Sequence, residues 1–127
     1  NPLLSNENKP NISGSTVALK LAMALLGIEE TIDFFDLACL GTIADMVPLV
    51  GDSRVIAKEG LKIINTQPRV GIKALKDVSS IKNITAKLLS FTLIPRINAS
   101  GRIDNAEQVI KLFLTEDYEE AILLAKK

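Results

Sequence analysis

The sequence predicts a mainly α-helical chain, and three observations carry that prediction. Apolar residues recur at helical spacing in several segments, no stretch alternates with the period of two expected of a half-buried strand, and the Val/Ile-rich runs of a doubly wound sheet are missing. The composition is globular, with 47% of the 127 residues hydrophobic and 24% charged. The length suits one domain and not comfortably two, so residues 1–127 are read as a single domain.

The elements follow in order. Asn1 to Ile12, rich in Asn, Pro and Ser, reads as a surface loop. Ser13-Gly14-Ser15-Thr16 opens the first helix, with Ser15 as N-cap and Gly27 as its stop. Val17, Leu21, Ala24 and Ile28 form its apolar stripe. A second helix begins near Asp33. Phe34, Leu37, Ala38 and Leu40 to Ala44 make it apolar on most sides, which predicts burial, and it ends before Pro48. Asp52 or Ser53 caps the next helix, amphipathic through Val55, Ile56, Ile63 and Ile64, which ends near Asn65. After the break at Gln67-Pro68-Arg69, a short helix runs from Val70 to Val78. Thr85 caps another, from Ala86 to about Thr92, and Pro95 stops it. Asp104 and Glu107 have the spacing of a capping box for a helix reaching Leu114. Thr115-Glu116-Asp117 starts the last helix with acids in its first turn, where the helix dipole favours them.

Several function classes are excluded within this chain. There is no histidine, so there is no Ser-His-Asp triad, no Cys-His pair and no His-ligated metal. The single cysteine, Cys39, closes no internal disulfide and makes no zinc cluster; a reducing cytoplasm is the default expectation. No apolar run reaches the roughly 18 residues of a bilayer span, so no membrane partner is expected. The chain opens at Asn1-Pro2 without an initiator Met or signal-like segment, as a processed product or a piece of something longer would.

The formal net charge is zero, but its distribution is uneven. Residues 1–53 carry seven acids against Lys9 and Lys20, and residues 54–102 carry ten bases against Glu59 and Asp77. A central basic block between acidic ends is compatible with a polyanion-facing surface. The plainer reading makes Lys58, Lys62, Lys73 and Lys76 the solvated faces of helices. With four Phe and one Tyr, no base-stacking platform is visible.

Two segments look like more than scaffold. Asp45 stands in an apolar neighbourhood just before Pro48. A buried carboxylate needs a partner, which leaves a divalent cation, an Arg or backbone amides. Gly41 in the same helix leaves room for close approach of another backbone. The second segment is Ile94 to Arg102, where Arg96 and Arg102 bracket Asn98, Ser100 and Gly101. Read as a loop, its guanidinium groups and amides suit a phosphate; read as a plain turn, its arginines pair with carboxylates such as Asp45 or Asp104. Ser13-Gly14-Ser15-Thr16 is a weaker anion candidate that capping explains as well.

Gly41-Thr42-Ile43-Ala44-Asp45-Met46-Val47-Pro48-Leu49, followed by Arg54 and Glu59-Gly60-Leu61, resembles the middle of the RecJ family of DHH phosphoesterases, which are single-strand-specific 5′-to-3′ DNA exonucleases. Pro95-Arg96-Ile97-Asn98-Ala99-Ser100-Gly101-Arg102 resembles that family's later arginine motif, with Ile94 standing where the family usually has Gly and Ser100 where it usually has Ala. Asn1-Pro2 and Gly14 to Leu21 resemble the stretch that follows the Asp-His-His motif. The resemblance covers nearly the whole chain. It implies the helical second half of a DHH-type α/β catalytic domain, with the parallel sheet and the Asp-His-His ligands absent. It also implies that Asp45 is a catalytic, metal-binding residue for Mn2+ or Mg2+, and that Arg96, Asn98 and Arg102 contact single-stranded DNA. The expectation is a hydrolase segment acting in DNA repair and recombination, inactive alone and self-associating to cover an apolar face. The alternatives are an oligonucleotide or cyclic-dinucleotide phosphodiesterase of the same superfamily, and a non-catalytic binding module.

Overall fold

The computed structural model describes residues 13–100 and 106–126. Among these residues there are helices and turns but no strand, as the sequence predicts. They fall into two compact units, the first ending at Ile63 and the second starting at Ile64.

In the first unit, α1 spans Gly14–Leu26. Its N-cap is Ser13 rather than Ser15, the Ser13 Oγ accepting from the Thr16 amide at 3.1 Å. Gly27 ends it at φ +88°, a conformation that glycine adopts without a Cβ penalty. A short α2, Ile28–Thr31, passes through a 3-10 turn, Ile32–Phe34, into α3, Phe35–Ala44. α3 is buried as its composition requires, through Ala38, Cys39, Leu40 and Ile43.

The seam between α1 and α3 is built from small and hydroxylic residues. A Cβ on Gly41 would lie 2.0 Å from Ser15 Oγ and 2.6 Å from Ser15 Cβ, so only glycine fits there. Beside it, the hydroxyls of Ser13, Thr16 and Thr42 meet at 3.1, 3.2 and 3.3 Å, all buried and each serving another as donor or acceptor. This seam corrects the expected stripe. Thr16 and Leu19 are the buried residues of α1, whereas Val17, Leu21 and Ile28 are 40%, 61% and 65% exposed. The period was readable, but the packed face is the one that lets backbones approach, not the greasiest one.

α4, Asp52–Thr66, meets α3 just as closely, because a Cβ on Gly60 would fall 2.3 Å from Cys39 Cβ and 2.6 Å from the Phe35 carbonyl oxygen. Ser53 is not its cap. It is the second helical residue, buried, and its Oγ has no hydrogen-bond partner among the described residues. Asp52 pairs with Lys20 at 2.6 Å, but both are exposed, so the pair adds little stability.

The second unit holds the end of α4, then α5 (Val70–Val78), α6 (Ala86–Leu88), α7 (Ile94–Ser100), α8 (Ala106–Leu114) and α9 (Tyr118–Lys126). α5 packs on both α8 and α9. Gly71 makes the α5–α8 approach, since its Cβ would sit 2.0 Å from the Leu112 carbonyl oxygen. Lys76 is 8% exposed, which corrects its reading as a solvated helix face. Asn65 ties the loop before α6, donating to the Ile84 carbonyl at 2.8 Å and accepting from its amide at 2.7 Å. Thr85 caps α6 as expected, accepting from the Leu88 amide at 3.1 Å. Asp117 caps α9, its Oδ1 accepting from the Glu119 amide at 3.0 Å. The expected Asp104 cap lies outside the described residues.

Pro95 does not stop its helix. The chain widens into a π-helical turn, Leu89–Leu93, and runs on as α7 to Ser100. A proline offers no amide, and its ring crowds the carbonyl four residues earlier. A wider turn moves that carbonyl aside, and the proline then sits in the first turn of the next helical stretch, where it is tolerated. No helix among the described residues is long and apolar enough to cross a membrane.

Candidate metal and nucleic-acid residues

Asp45 is placed by the way α3 ends. The Val47 amide donates to the Thr42 carbonyl at 3.3 Å and the Met46 amide to that of Ile43 at 3.1 Å. Met46 lies at φ +56°, so the pair of bonds closes the helix as a Schellman turn with methionine in the usual glycine place. The chain reverses there and turns two side chains outward. Asp45 is exposed and Met46 is 86% exposed. The expectation that Asp45 is buried and must have a partner is therefore corrected. Its sequence neighbours are apolar, but its spatial neighbour is solvent. Among the described residues it has no hydrogen-bonded or ion-paired side chain. A solvated carboxylate is available to a cation without being forced onto one.

The residues present do not by themselves fit a two-ion site. Among the described residues, no group of three or more Cys, Asp or Glu side chains is placed to hold a metal ion. One outward carboxylate is a single ligand and assembles no catalytic centre.

Arg96 and Asn98 sit in α7, not in the loop expected for them. Arg96 is half-buried. Its Nε donates to the Ala125 carbonyl at 3.3 Å and its Nη1 to Ser79 Oγ at 3.3 Å, so it fastens the C-terminal ends of α5 and α9. Those bonds use part of a five-donor guanidinium. Asn98, two residues on, is exposed on another side of the helix, because residues two apart do not share a helical face. Gly101 and Arg102 lie outside the described residues. The Ser13–Thr16 anion candidate is accounted for by its cap and its hydroxyl cluster. Cys39 is no nucleophile: burial, and then the charge of Asp36, push its thiol up to about 12.

No protein-family model matches the chain. Curated proteins do. Over 116 residues, 90% of this chain, it is 43% identical to the single-stranded-DNA-specific exonuclease RecJ of Bacillus subtilis (strain 168). The chain belongs to the RecJ family. The crystal structure of RecJ from Thermus thermophilus in complex with Mn2+ superposes on 98% of the chain with a TM-score of 0.85 at 36% identity. The Mg2+ complex of the same RecJ gives a TM-score of 0.80 at 35% identity. The helical architecture is thus that of a helical region of RecJ. The chain spans 15–25% of the length of the curated RecJ relatives it matches, and 20% of the Thermus chain in either crystal structure.

Proposed function

We propose that this chain is the helical segment of a metal-dependent, single-strand-specific 5′-to-3′ DNA exonuclease, with residues 1–127 forming one partial domain of its catalytic part. The match over nine-tenths of the chain to a protein named as a single-stranded-DNA-specific exonuclease carries this reading. Asp45 contributes one carboxylate to a Mn2+ or Mg2+ site whose remaining ligands come from elsewhere in the longer protein. A hard oxygen donor left in solvent at a helix end suits such an ion. Arg96, through the guanidinium donors its two internal bonds leave over, and Arg102 hold strand phosphates, and Asn98 orients the strand. The protein acts in the cytoplasm, in DNA repair and recombination. The isolated chain is inactive, because one carboxylate assembles no two-ion centre.

In a full-length enzyme carrying this segment, Asp45→Ala abolishes turnover and leaves affinity for single-stranded DNA within about twofold. Equal loss of turnover and affinity marks Asp45 as structural, and unchanged turnover removes it from the site. The 127-residue chain alone, given Mn2+ and labelled single-stranded DNA, releases no product.

A further inference from the structure

We propose that Lys73, Lys76 and Lys82 form a phosphate-binding groove in the second unit that takes the backbone of single-stranded nucleic acid. The groove is open, about 460 Å3 in volume, and bounded by these three lysines with Thr66, Pro68 and Asp77. Naming nucleic acid as its ligand rests on the function proposed above; the groove's affinity for phosphate does not.

The charge balance in the groove is what calls for an anion. Lys76 is 8% exposed, and its Nζ donates to the Ile64 carbonyl at 3.0 Å. An ammonium has three donors, and a carbonyl supplies no countercharge. Among the described residues, none of the three lysines makes an ion pair with a carboxylate. Asp77, the acid beside them, is engaged otherwise: its Oδ2 accepts from the Tyr118 hydroxyl at 2.5 Å. The same ring lies under Lys73, whose Nζ is 5.3 Å from its centroid. Three cations thus face one acid that is already hydrogen-bonded.

The groove's other walls decide between ligands. None of the described residues that line it is aromatic, so the groove offers no face for a base to stack on. What remains is point charge beside an apolar wall, which reads phosphates and not sequence. Binding of this kind is steeply salt-dependent.

The test uses the full chain in EDTA, so cleavage plays no part and the result does not depend on Asp45. The probe is a fluorescent dT20 oligonucleotide, titrated between 50 and 200 mM KCl. Lys73→Gln/Lys82→Gln, which spares the buried Lys76, is expected to weaken binding about tenfold or more at the lowest salt and to reduce the salt slope by about 1.4, two single-strand phosphate contacts. Circular dichroism and the melting temperature stay as in the unsubstituted chain. Lys58→Gln/Lys111→Gln, at exposed sites elsewhere, serves as control and changes the slope less. Millimolar inorganic phosphate shifts lysine and amide NMR signals in residues 66–82. No dT20 binding by the unsubstituted chain, or a slope equal in the two double variants, overturns the proposal. So does a decaglutamate peptide that moves the same signals when dT20 does not, which would assign the groove to an acidic protein.

Discussion

Met46 holds a φ of +56° at the end of α3, which costs a residue with a side chain about 1–2 kcal/mol. Met46→Gly removes that strain and is expected to raise stability by roughly 0.5–1 kcal/mol, while Met46→Val, branched at Cβ, lowers it. Urea melts of both variants check the pair, and a drop with Met46→Gly would contradict the Schellman assignment. Cys39 illustrates the same scale inside the helix. Burial raises its thiol from 9.0 to about 12. An acid raised in the folded state stabilises the fold fully below its unfolded value, and that contribution is lost as pH rises from 9 through about 12. Tyr118 shifts the same way, chiefly through its hydrogen bond to Asp77, and adds to the alkaline loss. At pH 8 the native chain should therefore leave Ellman's reagent unreacted, and reaction should appear only in denaturant; prompt native reaction would mean that α3 is not packed as described. At this scale the sequence drew attention to Asp45 through its motif. It misled on the surroundings, because chain neighbours and spatial neighbours part company where a helix reverses.

Among the elements, the α1–α3 seam is the most specific. Gly41→Ala adds a methyl 2.0 Å from Ser15 Oγ. Alanine gains about 1 kcal/mol of helix propensity, but forced overpacking costs about 1–3 kcal/mol, and contact this close to Ser15 Cβ lies at the upper end. The expected result is a net loss of about 1–2 kcal/mol, part of it recovered in Gly41→Ala/Ser15→Gly. No loss in thermal melts would show that the helices part more easily than the seam implies. The Gly41 close approach was legible in advance, as were the Thr85 cap and the Val70–Val78 helix, because each depends on local chemistry. The buried face of α1 was not: the apolar stripe and the small, hydroxylic face beside it share one period, and only tertiary contact chooses between them. The π-helical turn before Pro95 was also hidden, since a proline's crowding can be met by a stop or by a wider turn. That choice turned the expected phosphate loop into α7 and gave Arg96 a bracing role.

For the whole chain, α1 and the turn after it leave Leu21, Leu25, Leu26 and Ile28 at 61%, 75%, 58% and 65% exposure. Large apolar side chains left this exposed within eight residues favour association that covers them. The isolated chain is expected to self-associate, with a light-scattering mass that rises with concentration and falls back in Leu25→Glu; a monomeric mass at every concentration would contradict this. The lack of histidine and the central basic block were plain from the sequence. The convergence of Lys73, Lys76 and Lys82 was not, because Lys82 lies beyond the end of α5 and only folding returns it to the others. The metal-site part of the proposal depends above all on Asp45 as a ligand in the longer enzyme. The direct measurement is the Mn2+ concentration giving half-maximal cleavage in a full-length enzyme carrying Asp45→Asn. A rise of at least about tenfold, with strand affinity measured in EDTA unchanged, is the predicted result. An unaltered Mn2+ dependence would contradict it.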